Sequence, residues 1–400
     1  MVESVDISTQ APTIRTITLG LSDPHPLTTA HIQEASRRLR AAETRLSEAG
    51  YEVQTVRIST RPIFDDLVDW SATAIQQYVQ ELQGMLDDHN LTYCSLGPAQ
   101  VVKPDFPMER LDILADLLLP APGISATVQL VSSAHGLRAE AALPTARIIQ
   151  RLARESEDGF GNFRFAMLAC VEPGSPFFPA AYHEGESSLS VGLQGVEIVA
   201  QALQRMRGQS SGPLALAQVS EVVRQALQER SCPIVAAVQS LADEFCIRFG
   251  GIDLSPAPMG EASIAGAMEL CGYGPLGSPG SLAVAAALTA AIKGTDLPTC
   301  GYNGLMLPVL EDSLLGQRWA ERRINAHQLL LYSTVCGTGL DTIPLPGDCS
   351  TEEIAALLLD VATLALRLRK PLSARLFPVP GKQAGEATAF SSPYLINTLI

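Results

Sequence analysis

The residues best suited to chemistry stand in loops and at the ends of short segments. Pro176-Phe177-Phe178-Pro179-Ala180-Ala181-Tyr182-His183-Glu184-Gly185-Glu186 carries a histidine with a carboxylate three positions on. His183 and Glu186 can act together as a base and its orienting group, or hold a divalent ion. The competing reading is a loop whose Phe and Pro residues plug one end of the fold, with His183 bonded to backbone. Gly251-Ile252-Asp253-Leu254-Ser255-Pro256 puts an acid at the end of a short strand. Glu311 and Asp312 follow another strand-like run, Gly304 to Val309. Acids so placed serve as metal ligands or acid/base groups, or else cap the next helix. Cys336-Gly337-Thr338-Gly339-Leu340-Asp341 pairs a thiol with a glycine-rich turn.

Cys271-Gly272-Tyr273-Gly274-Pro275-Leu276-Gly277 matches G-x-G-x-x-G but follows a helical stretch, whereas a dinucleotide fingerprint follows a strand. Gly272 reads as a helix stop. Gly277-Ser278-Pro279-Gly280-Ser281 opens a helix that runs to Ile292, and free N–H groups at a helix start bind anions. Gly277, Ser278, Gly280 and Ser281 are therefore anion-binding candidates, against a plain tight turn. The motifs H-E-x-x-H and G-x-x-x-x-G-K-[ST] are absent.

Helical and strand-like segments alternate along the chain. Thr28 to Gly50 carries Ile32, Ala35, Leu39, Ala42 and Leu46 at helical spacing. Ser71 can cap a second helix, and Ser350-Thr351-Glu352-Glu353 is a capping box. Helices are expected over Met108 to Leu119, Leu137 to Arg154 and Gly195 to Phe249, the last broken at Pro233. Strands are expected at Tyr51 to Ile58, Thr92 to Leu96, Thr127 to Val131, Phe163 to Val171, Gly251 to Leu254, Gly304 to Val309, Leu340 to Leu345 and Ala374 to Val379. This alternation predicts a largely parallel sheet under helical cover, open or closed into a barrel.

A formal charge of −14 over 400 residues, with 46% hydrophobic and 18% charged residues, excludes disorder and argues against nucleic acid as a partner. The longest apolar run, Ser281 to Ile292, is shorter than the roughly 20 residues of a membrane span. The N-terminus has no secretory pattern, so a cytoplasmic protein with no membrane partner is expected. Eight scattered cysteines without C-x-x-C read as small buried side chains.

Several of these segments together resemble a family. They are Ile14-Arg15-Thr16-Ile17-Thr18-Leu19-Gly20, the Phe178 to Glu186 loop, Ile252 to Pro256, Gly304 to Asp312 and Cys336 to Asp341. In this order they resemble the family named domain of unknown function 711, from about Ile14 to Lys382. His183, Glu186, Asp253, Pro308, Glu311, Asp312, Cys336, Gly339 and Asp341 match it. The resemblance implies an α/β fold like that of pyruvate formate-lyase: a barrel with strands inside and helices outside. It implies one domain over 14–382, an N-terminal extension over 1–13 and a C-terminal tail over 383–400. It implies no particular reaction. Gly381 and Gly385 lack the Arg-x-x-Gly-aromatic context of a radical glycine, so no glycyl radical is expected.

The resulting expectation is a non-radical enzyme for a small anionic metabolite inside the barrel. His183, Glu186 and Asp253 would be catalytic. Gly277, Ser278, Gly280 and Ser281 would bind the anion, and Glu311 and Asp312 would hold a divalent metal. The alternative is a small-molecule sensor or a scaffold without catalysis, and a homo-oligomer is expected in either case.

Overall fold

Several short segments alternate between residues that need opposite surroundings. In Thr16-Ile17-Thr18-Leu19 and Val56-Arg57-Ile58-Ser59 every second side chain is apolar. A strand built from such a run has one apolar and one polar face. The computed structural model, which describes residues 11–400, contains ten strands. They are β1 (Ile14–Gly20), β2 (Val56–Ser59), β3 (Tyr93–Ala99), β4 (Ile124–Ser132), β5 (Gly136–Leu137), β6 (Phe165–Ala169), β7 (Ser188–Leu193), β8 (Arg248–Asp253), β9 (Gly339–Pro346) and β10 (Leu372–Val379). Residues 1–10 of the expected N-terminal extension lie outside the described residues.

One sheet runs in the order β8-β7-β1-β2-β3-β4-β6-β10-β9, with β5 a hairpin partner of β4. The five strands β1, β2, β3, β4 and β6 are mutually parallel. On either flank β7 and β10 run antiparallel to them, and β8 and β9 continue in that opposite sense. Between β8 and β9 the chain from Thr299 to Pro308 fills the gap. Thr299 bridges Ile252 of β8, and Pro308 bridges Asp341 of β9. The sheet thereby closes into a ring. Gly304 to Val309, expected as a strand, is part of this closure and forms no ladder, because its backbone turns to follow glycines that pack on one another. A Cβ on Gly304 would stand 2.3 Å from Gly337 Cα.

The hydrophobic core lies outside the ring. Ile17 and Leu19 of β1, Val56 and Ile58 of β2, Cys94 and Leu96 of β3, and Ile124 and Val128 of β4 join helix residues such as Ile32, Leu39, Ile75 and Val79 in one buried cluster. The alternate residues face the interior, and many are small or polar: Thr16, Thr18, Ser59, Ser95, Ser125, Thr127, Ser188 and Ser190 are all buried. The alternating pattern predicted a largely parallel sheet under helical cover, and the family resemblance implied strands inside with helices outside; both describe this architecture.

Helix starts follow their caps. Thr28, Ser71 and Ser350 cap Thr29–Glu48, Ala72–Asp88 and Thr351–Leu368 through side-chain oxygens. Pro233 does not end a helix. It lies inside Leu216–Glu244, which continues through it. Met108 to Leu119 splits into a 3-10 turn, Met108–Ile113, and a short helix, Leu114–Leu118. Residues 383–400 pack back onto the body. Phe390 and Leu395 join Leu310, Phe377 and Val379 in a small apolar cluster, and Ile396 N–H donates to the Leu310 carbonyl at 2.7 Å.

One buried histidine gives the fold a pH limit. His25 is buried, with Nδ1 2.7 Å from the Tyr78 hydroxyl and Nε2 2.9 Å from Thr60 Oγ1. Burial pushes its pKa down to about 4, from the ordinary 6.5. The unfolded chain then binds the extra proton, so stability is full above pH 6.5 and falls as pH drops towards 4. We expect a loss of about 3 kcal/mol over that window from this group, at roughly 1.4 kcal/mol per pH unit. Urea denaturation at pH 7 and pH 4.5 should show it, and His25→Gln should flatten the difference.

Candidate ligand-binding site

A cavity of about 440 Å³ occupies the barrel interior. It is reached from the amino ends of the parallel strands. Thr55 and Arg57 come from the start of β2, Tyr93 from β3, Gly123 and Ser125 from β4, and Arg164 and Ala166 from β6. Arg15 enters from β1 and Arg375 from β10. Phe177, Phe178 and Ala180 arrive from the loop after β6, and Tyr302 and Met306 from the closing segment. Glycine lets that loop enter: a Cβ on Gly192 of β7 would lie 2.7 Å from the Phe177 ring. At the rim stands Tyr394, 42% exposed, stacked on Phe163 with centroids 5.9 Å apart.

Charges in the cavity fall into two groups. Arg375 lies between two acids, with Nε 2.7 Å from Asp341 Oδ1 and Nη2 2.5 Å from Glu311 Oε1. Arg15 Nη2 approaches Glu311 Oε2 at 3.9 Å, and its Nη1 donates to Gln54 Oε1 at 2.9 Å. Burial raises the Glu311 pKa, although Arg375 opposes the rise.

Arg57 is different. It is 9% exposed and donates Nε–H to Thr55 Oγ1 at 3.0 Å. Among the described residues it has no carboxylate in ion-pair contact. Its guanidinium instead lies 5.3 Å from the Tyr93 ring centroid and 5.1 Å from that of Phe178. Burial, followed by the nearby Arg15, brings its pKa down to about 9. Arg164 also lacks a carboxylate, but its Nη1 donates to the carbonyls of Ala121 and Ile124, each at 2.8 Å.

Of the residues expected to be catalytic, anion-binding or metal-holding, Glu311 alone lines this cavity. His183 is buried at the opposite end of the parallel strands. Its N–H donates to the Thr60 carbonyl, and its ring lies against Gly20 at the end of β1. Nε2–H donates to the backbone carbonyl of Glu186 at 2.8 Å, while the Glu186 side chain is exposed. The expected base–carboxylate pair is therefore a histidine–backbone contact. Burial also lowers the His183 pKa. The Glu186 carboxylate is not the group that orients the ring, and His183 Nδ1 is buried without a hydrogen-bond partner.

Asp253 is fully buried, and its carboxylate accepts N–H groups from Ser255 at 2.9 Å, Tyr302 at 2.7 Å and Asn303 at 3.2 Å. It shapes the closing segment and lies outside the cavity lining. Asp253→Asn replaces one acceptor oxygen by a donor facing those N–H groups. We expect a cost of about 2–3 kcal/mol in denaturant unfolding, with a pocket distorted at Tyr302.

Gly277, Ser278, Gly280 and Ser281 form a tight turn closed on itself, with Gly277 N–H donating to Ser281 Oγ at 3.2 Å. They too lie outside the cavity lining. Glu311 and Asp312 part company. Glu311 faces the cavity, whereas Asp312 caps two helices at once. Its Oδ1 accepts from Leu315 N–H at 3.0 Å and its Oδ2 from Ile264 N–H at 2.9 Å. Two neighbouring acids on opposite faces cannot share an ion, and no group of three or more His, Cys, Asp or Glu among the described residues is arranged to hold one. Of the Cys336 to Asp341 cluster, Thr338 and Asp341 reach the cavity, while the Cys336 thiol is buried and its pKa pushed up to about 12.

The sequence reading missed Arg15, Arg57, Arg164 and Arg375. A signal was present: an arginine between two apolar residues inside a strand, as in Val56-Arg57-Ile58 and Ala374-Arg375-Leu376. Such an arginine faces opposite to its neighbours.

A family profile described as "Uncharacterised ACR (DUF711)" matches residues 6–391. A UPF0210 protein of Thermoanaerobacter sp. (strain X514) is 26% identical over 94% of this chain and 88% of its own length. A UPF0210 protein of Pyrobaculum arsenaticum is 27% identical over 89% and 81%. Among solved structures, the anaerobic ribonucleotide reductase from Thermotoga maritima, in complex with dATP and CTP, aligns with a TM-score of 0.44 and 10% identity, over 96% of this chain and 81% of that one. No helix among the described residues is long and apolar enough to cross a membrane.

Proposed function

The chain belongs to the DUF711 family, and from the geometry of its barrel we propose that it takes up a small anionic molecule in the interior cavity. The observation that carries this reading is Arg57, a buried cation without a carboxylate in a protein of net charge −14. A charge removed from water needs a partner, and a ligand anion supplies one. The two free Nη groups present a fork that suits a carboxylate or phosphate.

A catalytic version of the reading has its own support. Glu311 lines the same cavity and is held towards its protonated form by burial. Acid/base work then falls to Glu311, within reach of a ligand on Arg57, and not to His183.

Thermal-shift titration with small carboxylates and phosphates tests the reading. A ligand bound only by the native state stabilises it by about 2.7 kcal/mol at a hundredfold excess over Kd. We expect a shift in the wild type that Arg57→Gln loses. A shift of equal size in both proteins would refute the assignment.

A further inference from the structure

The cavity is strongly asymmetric in what it leaves unsatisfied. Arg375 is shared between Asp341 and Glu311, Arg15 donates to Gln54, and Arg164 holds two backbone carbonyls. Only Arg57 turns a guanidinium with two uncommitted Nη groups to the cavity, among the described residues. The wall formed by Ala166, Phe177, Ala180, Ala257, Tyr302 and Met306 is a buried apolar cluster of its own, separate from the core outside the ring. That wall has a single polar end, the Tyr302 hydroxyl. Its oxygen is buried and has no hydrogen bond of ordinary geometry, although the Ser373 hydroxyl lies close to it.

A sugar or a polyphosphate needs donors and acceptors on all sides, and burying it against this wall would strand its polar groups. A flat hydrocarbon body loses nothing there and gains apolar contact. Resting on the reading of the cavity as an anion site, we propose that its ligand is an amphipathic anion. It carries a carboxylate that pairs with Arg57, an aromatic or similarly flat body against the Phe177–Met306 wall, and one polar substituent that meets Tyr302.

Calorimetric and ligand-observed NMR titrations of the full chain test this with five probes: 4-hydroxybenzoate, benzoate, benzyl alcohol, acetate and inorganic phosphate. We expect 4-hydroxybenzoate to bind at least tenfold more tightly than acetate or phosphate. Benzyl alcohol, without the charge, should bind at least tenfold more weakly than benzoate. Arg57→Gln should remove at least tenfold of the benzoate affinity. Arg57→Lys, which keeps the charge but not the fork, should lose less. Tyr302→Phe should erase the advantage of 4-hydroxybenzoate over benzoate and leave benzoate unchanged.

The outcomes separate the two claims. Acetate or phosphate binding as tightly as benzoate, with dependence on Arg57, would overturn the amphipathic ligand and leave the anion site standing. Benzoate affinity unaffected in an Arg57→Gln protein of native near-ultraviolet circular dichroism would remove the anion site itself. So would failure of all five probes to bind the wild type.

Discussion

Arg57→Met will make the free protein more stable while removing its capacity to hold an anion. The fall of the Arg57 pKa from the ordinary guanidinium range to about 9 is a conformational cost, because the folded chain holds that proton less tightly than the unfolded chain. At about 1.4 kcal/mol per unit the shift corresponds to about 5 kcal/mol. The variant forfeits the hydrogen bond to Thr55 and the contacts with Tyr93 and Phe178, which return part of that sum. A net gain of about 1–3 kcal/mol in urea unfolding at pH 7 is the expected result, in line with replacements of buried charge by apolar side chains. For a base with a depressed pKa the cost is complete below the folded value. It fades as pH rises above about 9 towards the ordinary guanidinium range, so the variant's advantage should shrink there. A loss of stability at pH 7 would mean that Arg57 is already paired within the protein.

Arg375→Met will act in the opposite direction. It leaves Glu311 and Asp341 buried without their shared cation, at an expected cost of about 3–5 kcal/mol at pH 7. Its pH dependence identifies the cause. Burial already raises the Glu311 pKa, and loss of Arg375 raises it further. A carboxyl with a raised folded pKa costs most above that value and nothing below its unfolded value near 4.3. The deficit should therefore narrow as pH falls to about 4.5. Adding Glu311→Gln should recover part of it at pH 7. A deficit constant across pH would instead point to lost packing against Phe163, which Arg375 overlies at 5.1 Å.

The elements were legible where local chemistry acts alone. Thr28, Ser71 and Ser350 start their helices as their hydroxyls dictate. The strands at Leu340 to Leu345 and Ala374 to Val379 lie within one or two residues of β9 and β10. Ser188–Leu193 escaped notice because its serines and glycine have poor strand propensity; its place is fixed by pairing with β1 and β8.

The cavity was not legible for two reasons. Ligands in open parallel sheets bind beyond the carboxyl ends of the strands, which drew attention to His183. Closure of this sheet, with the Phe177 to Tyr182 loop filling that end, leaves the space at the amino ends of β2, β3 and β4. Moreover, fully covered parallel strands are expected to be apolar on both faces, so Arg57 was passed over. Glu311 and Asp312 show the limit most sharply. Adjacent in sequence, they are separated in function by the half-turn between neighbouring side chains: one faces the cavity and the other ties two helix starts together.

The two-residue alternation along each strand also has an evolutionary consequence. Val56, Ile58, Cys94, Ile124, Ala374 and Leu376 secure the ring to its helices, whereas Thr55, Arg57, Tyr93, Ser125, Ser373 and Arg375 define what it encloses. Selection can therefore rewrite the second set while sparing the first. Descendants of one scaffold can exchange cargo without renegotiating their architecture, provided that every new buried charge arrives with its counter-charge.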